Sequence, residues 1–419
     1  MSADRIIVRY LIETPLAVER AAEVIAGEQS SGTFVPVPGE TEELKQRARA
    51  QVVAIDLRES VPEPSLPGAR PPKNGPRGYQ RAEITVAFPL DNVGPNLPTL
   101  LSTVAGNLFE LSEVSGLKLI DLELPPIFAE RYPGPQFGIE GTRKLSGVSG
   151  RPLIGTIVKP SVGLTPEQTA AMVRSLGEGG IDFIKDDEVM ANPPHSPLKE
   201  RVHAVMKEVK ALADKTGRKL MYAFNVSDDL DAMFIHHDLV RDAGGTCIMV
   251  SLNSIGLAAL STLRKHAELP IHGHRNGWGL ISRHPLLGIS FVAYQKLWRL
   301  AGADHLHVNG LRNKFWEPDD SVVASIRACL APLFGGYFAM PVVSSGQWAG
   351  QAPDTFARAK TTDLIFLAGG GIMAHPGGPA AGLRSIQQAW EAAVTGLDLD
   401  AYAALHPELA VALERFSAR

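Results

Sequence analysis

Cysteine is almost missing: Cys247 and Cys329 are the only two in 419 residues. Two thiols cannot build a disulfide framework, so a reducing cytoplasm is the expected compartment. There is no excess of positive charge either, with 41 Lys plus Arg against 45 Asp plus Glu and a formal net charge of −4. That balance excludes the basic footprint of a nucleic-acid binder. No uninterrupted apolar run reaches the roughly 20 residues that span a bilayer, because 40 glycines and 31 prolines interrupt every candidate. No membrane partner is expected, and MSADRIIVRYLIETP at the start alternates apolar and charged residues, unlike the apolar centre of a signal peptide. What the chain does have is length: about three times an average domain of ~150 residues, enough for one large domain and a smaller one.

The first part reads as α+β. Residues 5–12 and 81–90 and the segment KLIDLELP ending at Pro125 have strand character, while 16–28 and 99–111 carry apolar residues at helical spacing. A small ferredoxin-like sandwich over 1–137 is expected, with a sheet covered by helices on one face. Residues 62–81 are so rich in Pro, Gly and Arg that they read as a surface loop, and 125–138 as the connection to the next domain. From about residue 150 the pattern becomes eight short apolar runs separated by helical segments: 153–160, 181–185, 220–227, 246–253, 270–275, 305–308, 340–345 and 364–370. Thr165, Pro166 and Gln168 mark the start of the first connecting helix as a capping box. Eight β-then-α units predict a closed (β/α)8 TIM barrel over 138–419, with a doubly wound open sheet as the alternative and helices after 380 packed outside.

In such a barrel the chemistry sits where the strands end. Lys159 ends the first run, Lys185-Asp186-Asp187-Glu188 the second, Asn225 the third, and Ser251 with Asn253 the fourth. His274-Arg275, His307, Ser344-Ser345 and Gly369-Gly370-Gly371 end the other four. Eight polar endings on one rim are hard to attribute to loop composition. Asp187 and Glu188 offer hard oxygen ligands suited to Mg²⁺. Lys185, on the same strand face as Asp187, would repel a dication unless its neutral amine captured CO2 as an anionic carbamate. The H-x-H pairs His272/His274 and His305/His307 permit a zinc reading. Arg275 with the hydroxyls of Ser344 and Ser345 suits an anionic phosphate better, and the AGGG run suits a second anion.

These residues resemble the large subunit of ribulose bisphosphate carboxylase/oxygenase and the RuBisCO-like (type IV) proteins. The similarity runs through GEQSSGT (27–33), AGNLFE (105–110), GTIVKP (155–160), GGIDFIKDDE (179–188), IHGHR (271–275), ADHLH (303–307), PVVSSG (341–346) and AGGGIMAHPGG (368–378). The resemblance implies that Lys185 becomes carbamylated and holds Mg²⁺ with Asp187 and Glu188, and that Lys159 transfers a proton. It implies that His274 lies near the substrate hydroxyls, that Arg275, His307 and Ser344 bind one phosphate, and that Gly346, Gly369, Gly370 and Thr33 bind another. It further implies a homodimer, with larger assemblies left open, in which Glu28 and Asn107 reach the partner's site. Lys314, seven residues after His307, matches by offset the mobile-loop lysine that closes over a substrate carboxylate.

The departures from the family separate its activities. Carboxylases carry a second lysine in a KPK arrangement where this chain has Ser161, a threonine where it has Ile157, and a histidine where it has Trp278. Carboxylation of ribulose bisphosphate is therefore not expected. The retained half of the chemistry is Mg²⁺-stabilised enediolate formation, and a substrate carboxylate as partner for Lys314 and Arg275 points to decarboxylation of a 3-oxo sugar acid phosphate, of the 3-oxo-isoapionate 4-phosphate type known in this family. Enolase or isomerase action on 5-methylthio-sugar phosphates of methionine salvage is the neighbouring expectation. A catalytically silent dimer that binds a sugar phosphate is the reading from another class.

Overall fold

The computed structural model describes residues 4–31, 38–72 and 78–417. Its contacts divide the chain into two compact units, Met1–Pro133 with Gly277–Leu300, and Gly134–Asn276 with Ala301–Arg419.

The first unit is built on β1 (Arg5–Thr14), β2 (Gln51–Val61), β3 (Tyr79–Pro89) and β4 (Gly116–Glu123). Alternation decides which face is core: on β1, Ile6, Val8, Tyr10 and Ile12 are buried while Arg9 is exposed. The helix Val18–Glu28 buries Ala21, Ala22, Ile25 and Ala26. A second, Leu97–Ala105, is capped by Asn96, whose side chain accepts from the Thr99 N–H. β1 is central and pairs antiparallel with both β3 and β4. The sequence reading placed no strand at 51–61, yet β2 pairs along β3 from Gln51 to Val61.

The second unit carries β5 (Leu153–Ile157), β6 (Phe183–Lys185), β7 (Met221–Asn225), β8 (Cys247–Ser251) and β9 (Ile271–His274). The chain then leaves it for β10 (Leu287–Ile289) and returns with β11 (His305–His307), β12 (Met340–Val343) and β13 (Ile365–Leu367). The order β11-β12-β13-β5-β6-β7-β8-β9 closes into a barrel of parallel strands, and the open-sheet alternative falls away. β10 instead joins the first sheet, which runs β10-β4-β1-β3-β2, by pairing Leu287 with Leu117 and Ile289 with Leu119. That excursion lies inside the 138–419 span read as barrel. Leu153, Phe183, Ala223, Met249, Val342 and Leu367 belong to the buried barrel core. The helix Pro166–Glu178 opens on the expected capping box: the Gln168 N–H donates to Thr165 Oγ1, and the Thr165 N–H donates to Gln168 Oε1. Among the described residues no helix is long and apolar enough to cross a membrane.

Candidate active site

The turn after β6 is held from behind. Lys185 and Asp186 are each 1% exposed and Asp187 is 4% exposed. The Asp186 carboxylate accepts from Arg201 Nη2 at 3.2 Å, from Tyr222 Oη at 2.6 Å and from the Asn225 N–H at 2.9 Å. Asn225 Nδ2 donates to the carbonyls of Asp187 and Glu188 at 3.2 Å each. One carboxylate of the DDE run is thus consumed as scaffold. Arg201 and Tyr222 were missed in the sequence. Arg201 had a signal, since it stands within the apolar stripe Leu198, Val202, Val205, Met206 of the helix Leu198–Thr216, where a charge needs a buried partner.

Lys159 Nζ lies 2.7 Å from Asp187 Oδ2 and donates to Ser161 Oγ at 2.6 Å. Lys185 Nζ donates to the Asp186 carbonyl at 2.8 Å and lies 3.7 Å from Glu188 Oε2. Burial pushes the Lys185 ammonium below the usual lysine value, against the pull of Glu188, Asp187 and Asp186. Burial would raise Asp187, but the Lys159 hydrogen bond and charge, with help from Lys185 and Ser161, hold it below the usual carboxylate value. These side chains fit Mg²⁺ and a carbamate: the donors are hard oxygens, and burial favours the neutral amine that reacts with CO2.

The histidines do not form a zinc site. His272 Nε2 and His307 Nε2 are hydrogen-bonded directly at 2.8 Å, His272 Nδ1 lies 3.4 Å from His305 Nδ1, and His305 Nε2 lies 2.8 Å from Thr142 Oγ1. Their nitrogens satisfy one another and leave no room for an ion between them. Burial lowers all of them, taking His305 to about 3 and His274 to about 3, and pushing His272 and His307 well below the usual value. His274 Nε2 lies 3.5 Å from Glu188 Oε2, which brings it beside the Lys185 turn. Among the described residues, three further donors gather at His237, Asp238 and His266. There the Glu268 N–H donates to His237 Nε2, so His237 Nδ1 carries the proton and donates to Asp238. This cluster is a hydrogen-bonded trio remote in sequence from the expected metal ligands.

His307 Nδ1 lies 3.1 Å from Ser344 Oγ. Arg275, expected at a phosphate, donates from Nη2 to Glu317 Oε2 at 2.8 Å. Glu317 lies three residues after Lys314, where no spacing rule singles it out. Lys314 is exposed; its backbone N–H donates to the Ser345 carbonyl at 3.0 Å and its ammonium lies 5.1 Å from the Phe315 ring centroid. Gly346 has a φ of 91°, which favours glycine. A Cβ on Gly369 would lie 3.9 Å from Lys159 Cε, so this glycine flanks the lysine, and a Cβ on Gly370 would meet nothing within 4 Å. In the first unit, Glu28 ends its helix and Asn107 opens the turn Asn107–Glu110; both are exposed. Thr33 lies outside the described residues.

Residues 138–416 match the family described as ribulose bisphosphate carboxylase large chain, catalytic domain, and residues 2–128 match the N-terminal domain of the same chain. The chain is 50% identical over 411 residues to a 3-oxo-isoapionate-4-phosphate decarboxylase of Rhizobium etli, covering 97% of this chain and 98% of that one. It is 53% identical over 413 residues to a 3-oxo-isoapionate-4-phosphate transcarboxylase/hydrolase of Xanthobacter autotrophicus, covering 98% and 99%. The crystal structure of a rubisco-like protein from Burkholderia fungorum superposes with a TM-score of 0.92 at 50% identity, covering 99% of this chain and 100% of that one.

Proposed function

Because the chain belongs to the ribulose bisphosphate carboxylase large-chain family, we propose that it is a decarboxylase of a 3-oxo sugar acid phosphate, of the 3-oxo-isoapionate 4-phosphate type. The observation that carries this reading is the gathering of Lys159, Lys185, Asp187 and Glu188 at one rim, in a chain about half identical to relatives so named. A 3-oxo acid loses CO2 when the electrons of the carbon–carbon bond pass to the neighbouring carbonyl, leaving an enediolate that must then be protonated on carbon. Asp187, Glu188 and a carbamate on Lys185 would hold Mg²⁺, which when bound supplies Lewis-acid stabilisation of negative charge developing on oxygen.

The remaining work falls to the chain itself. Lys159, 40% exposed at its side chain and tied to Asp187, is the group placed to hand a proton to the substrate carbon. Ser161 accepts from Lys159 where carboxylases place a second lysine, so Lys159 works beside a neutral hydroxyl and not beside a second amine. His274 is neutral and faces Glu188, an arrangement that orients substrate hydroxyls without adding charge. The reading extends to a cytoplasmic homodimer in which Glu28 and Asn107 would serve the partner's site. Light scattering of the full chain reads the assembly, and a monomer at working concentration would overturn that part.

The test is to give the purified chain 3-oxo-isoapionate 4-phosphate with Mg²⁺ and bicarbonate and to follow the carboxyl carbon by NMR. Free CO2 is the expected product, and Lys185→Met should abolish its release. The name of the Xanthobacter relative favours a second reading, transfer of the carboxyl group followed by hydrolysis, which would place the labelled carbon on a second product. No turnover of any 3-oxo sugar acid phosphate would overturn both.

A further inference from the structure

The proposed substrate type carries one phosphate, whereas the family resemblance supplies two phosphate subsites. Resting on that reading, we propose that Glu317 determines specificity: by pairing with Arg275 it closes that end of the mouth to a phosphate dianion, leaving the Gly346, Gly369 and Gly370 rim to the single phosphate.

The pair is buried on both sides, with side-chain exposures of 5% for Arg275 and 2% for Glu317. Glu317 is also fixed in place. Its Oε2 accepts from Arg275 Nη2 at 2.8 Å and from Asn309 Nδ2 at 2.6 Å, and its Oε1 accepts from Ser321 Oγ at 2.9 Å. Asn309 is pinned in turn by Ser345, whose hydroxyl donates to its Oδ1 at 2.6 Å, and holds a φ of 64°. A phosphate brought against Arg275 would meet a carboxylate that cannot swing away, and two like charges in a site sheltered from water repel strongly.

The other two residues of that subsite are committed as well. The Thr142 hydroxyl donates to the Gly138 carbonyl, so it accepts from His305 Nε2. His305 Nδ1 is then an acceptor for His272 Nδ1, and His272 Nε2 an acceptor for the N–H of His307 Nε2. His307 Nδ1 is left as an acceptor for the Ser344 hydroxyl, 3.1 Å away. These tautomers are assigned from the hydrogen-bond partners. The chain of donors runs one way, into the barrel, and neither His307 nor the Ser344 hydroxyl retains a proton to offer an anion.

Calorimetric titration of the full chain in Mg²⁺ and bicarbonate tests this, with ribulose 1,5-bisphosphate and ribulose 5-phosphate as probes. The wild type should bind the bisphosphate no more than about threefold tighter than the monophosphate, and Glu317→Gln should raise that ratio roughly 10- to 100-fold, the worth of a charge-assisted hydrogen-bonded contact. A wild-type preference for the bisphosphate above about tenfold overturns the assignment, as does a folded Glu317→Gln with an unmoved ratio. Should that variant fail to fold, the wild-type ratio decides alone. A chain that decarboxylates its substrate yet prefers the bisphosphate refutes only the role of Glu317. One with the expected ratio and no turnover refutes only the reaction.

Discussion

Replacing Arg201 by Met should cost more than replacing any lysine at the barrel mouth. The guanidinium is 0% exposed at its side chain and its partner Asp186 is 1% exposed. Arg201 also donates to the carbonyls of Ser196, Met190 and Ala191. Methionine fills most of the volume but leaves the Asp186 charge with only the Tyr222 hydroxyl and the Asn225 N–H. Breaking a buried pair from one side costs about 3–5 kcal/mol. At about 2–4 °C per kcal/mol for a unit of this size, the thermal midpoint should fall by roughly 10 °C. Scanning calorimetry reads the shift, and the double variant Arg201→Met, Asp186→Asn supplies the control. Because it leaves no unpaired charge, it should be more stable than Arg201→Met alone, the signature of a coupled pair. A single variant within about 2 °C of wild type, or a double variant whose losses simply add, would refute the claim that this pair fixes the turn bearing Lys185, Asp187 and Glu188.

Three further outcomes follow from the same contacts. Burial would raise the Glu13 carboxyl, but bonds from the Ser65 hydroxyl and N–H, Arg81 and Ser115 hold it below its ordinary value of 4.5. Its stabilisation is therefore complete above that value and disappears as the pH falls through the lowered one. Glu13→Gln should lose about 1–3 kcal/mol at pH 7 and approach wild type in acid, read as urea midpoints against pH; a gap that widens in acid would be contrary. Gly371→Ala drives a Cβ into Gln347 O and the backbone of Trp348, whereas Gly370→Ala meets nothing within 4 Å. The first should lose about 1–3 kcal/mol and the second should keep its thermal midpoint. Lys159→Met should lower kcat for CO2 release by about 10²- to 10⁴-fold with an unchanged circular dichroism spectrum, and a loss confined to KM would assign Lys159 to binding.

Legibility in the sequence followed the range of the interactions. The eight barrel strands and the Thr165 capping box depend on short-range periodicity and neighbour bonds, and both were readable. β2 was readable but missed: Val53, Ile55 and Leu57 alternate with Ala54, Asp56 and Arg58, the period of a strand. β10 was not readable, because three residues carry no period and their place beside β4 is settled by the returning chain. The same division holds at the mouth. Lys185, Asp187 and Glu188 stand together in one motif. Arg201, Tyr222 and Glu317 act across 15 to 42 residues of chain; the apolar stripe around Arg201 marks it as buried, but only the fold names its partner.

Charge pairing separates scaffold from working groups in this mouth. Four cations face four carboxylates: Arg201 with Asp186, Arg275 with Glu317, Lys159 with Asp187, and Lys185 with Glu188. In the two arginine pairs both partners are buried, so neither can be opened without stranding a charge away from water. In the lysine pairs one partner reaches solvent, Lys159 at 40% and Glu188 at 34% side-chain exposure. Water can take up the partner that reaches it, so these half-exposed pairs open more readily than the two buried ones. The exchangeable carboxylates are therefore Asp187 and Glu188, and the exchangeable amine is Lys159. Were Asp187 given over to a ligand, as the proposed function requires, Lys159 would lose its 2.7 Å partner and keep the Ser161 hydroxyl, which would leave its protons available to the substrate. Lys185 cannot follow it out, being 1% exposed, and so changes its charge in place or not at all.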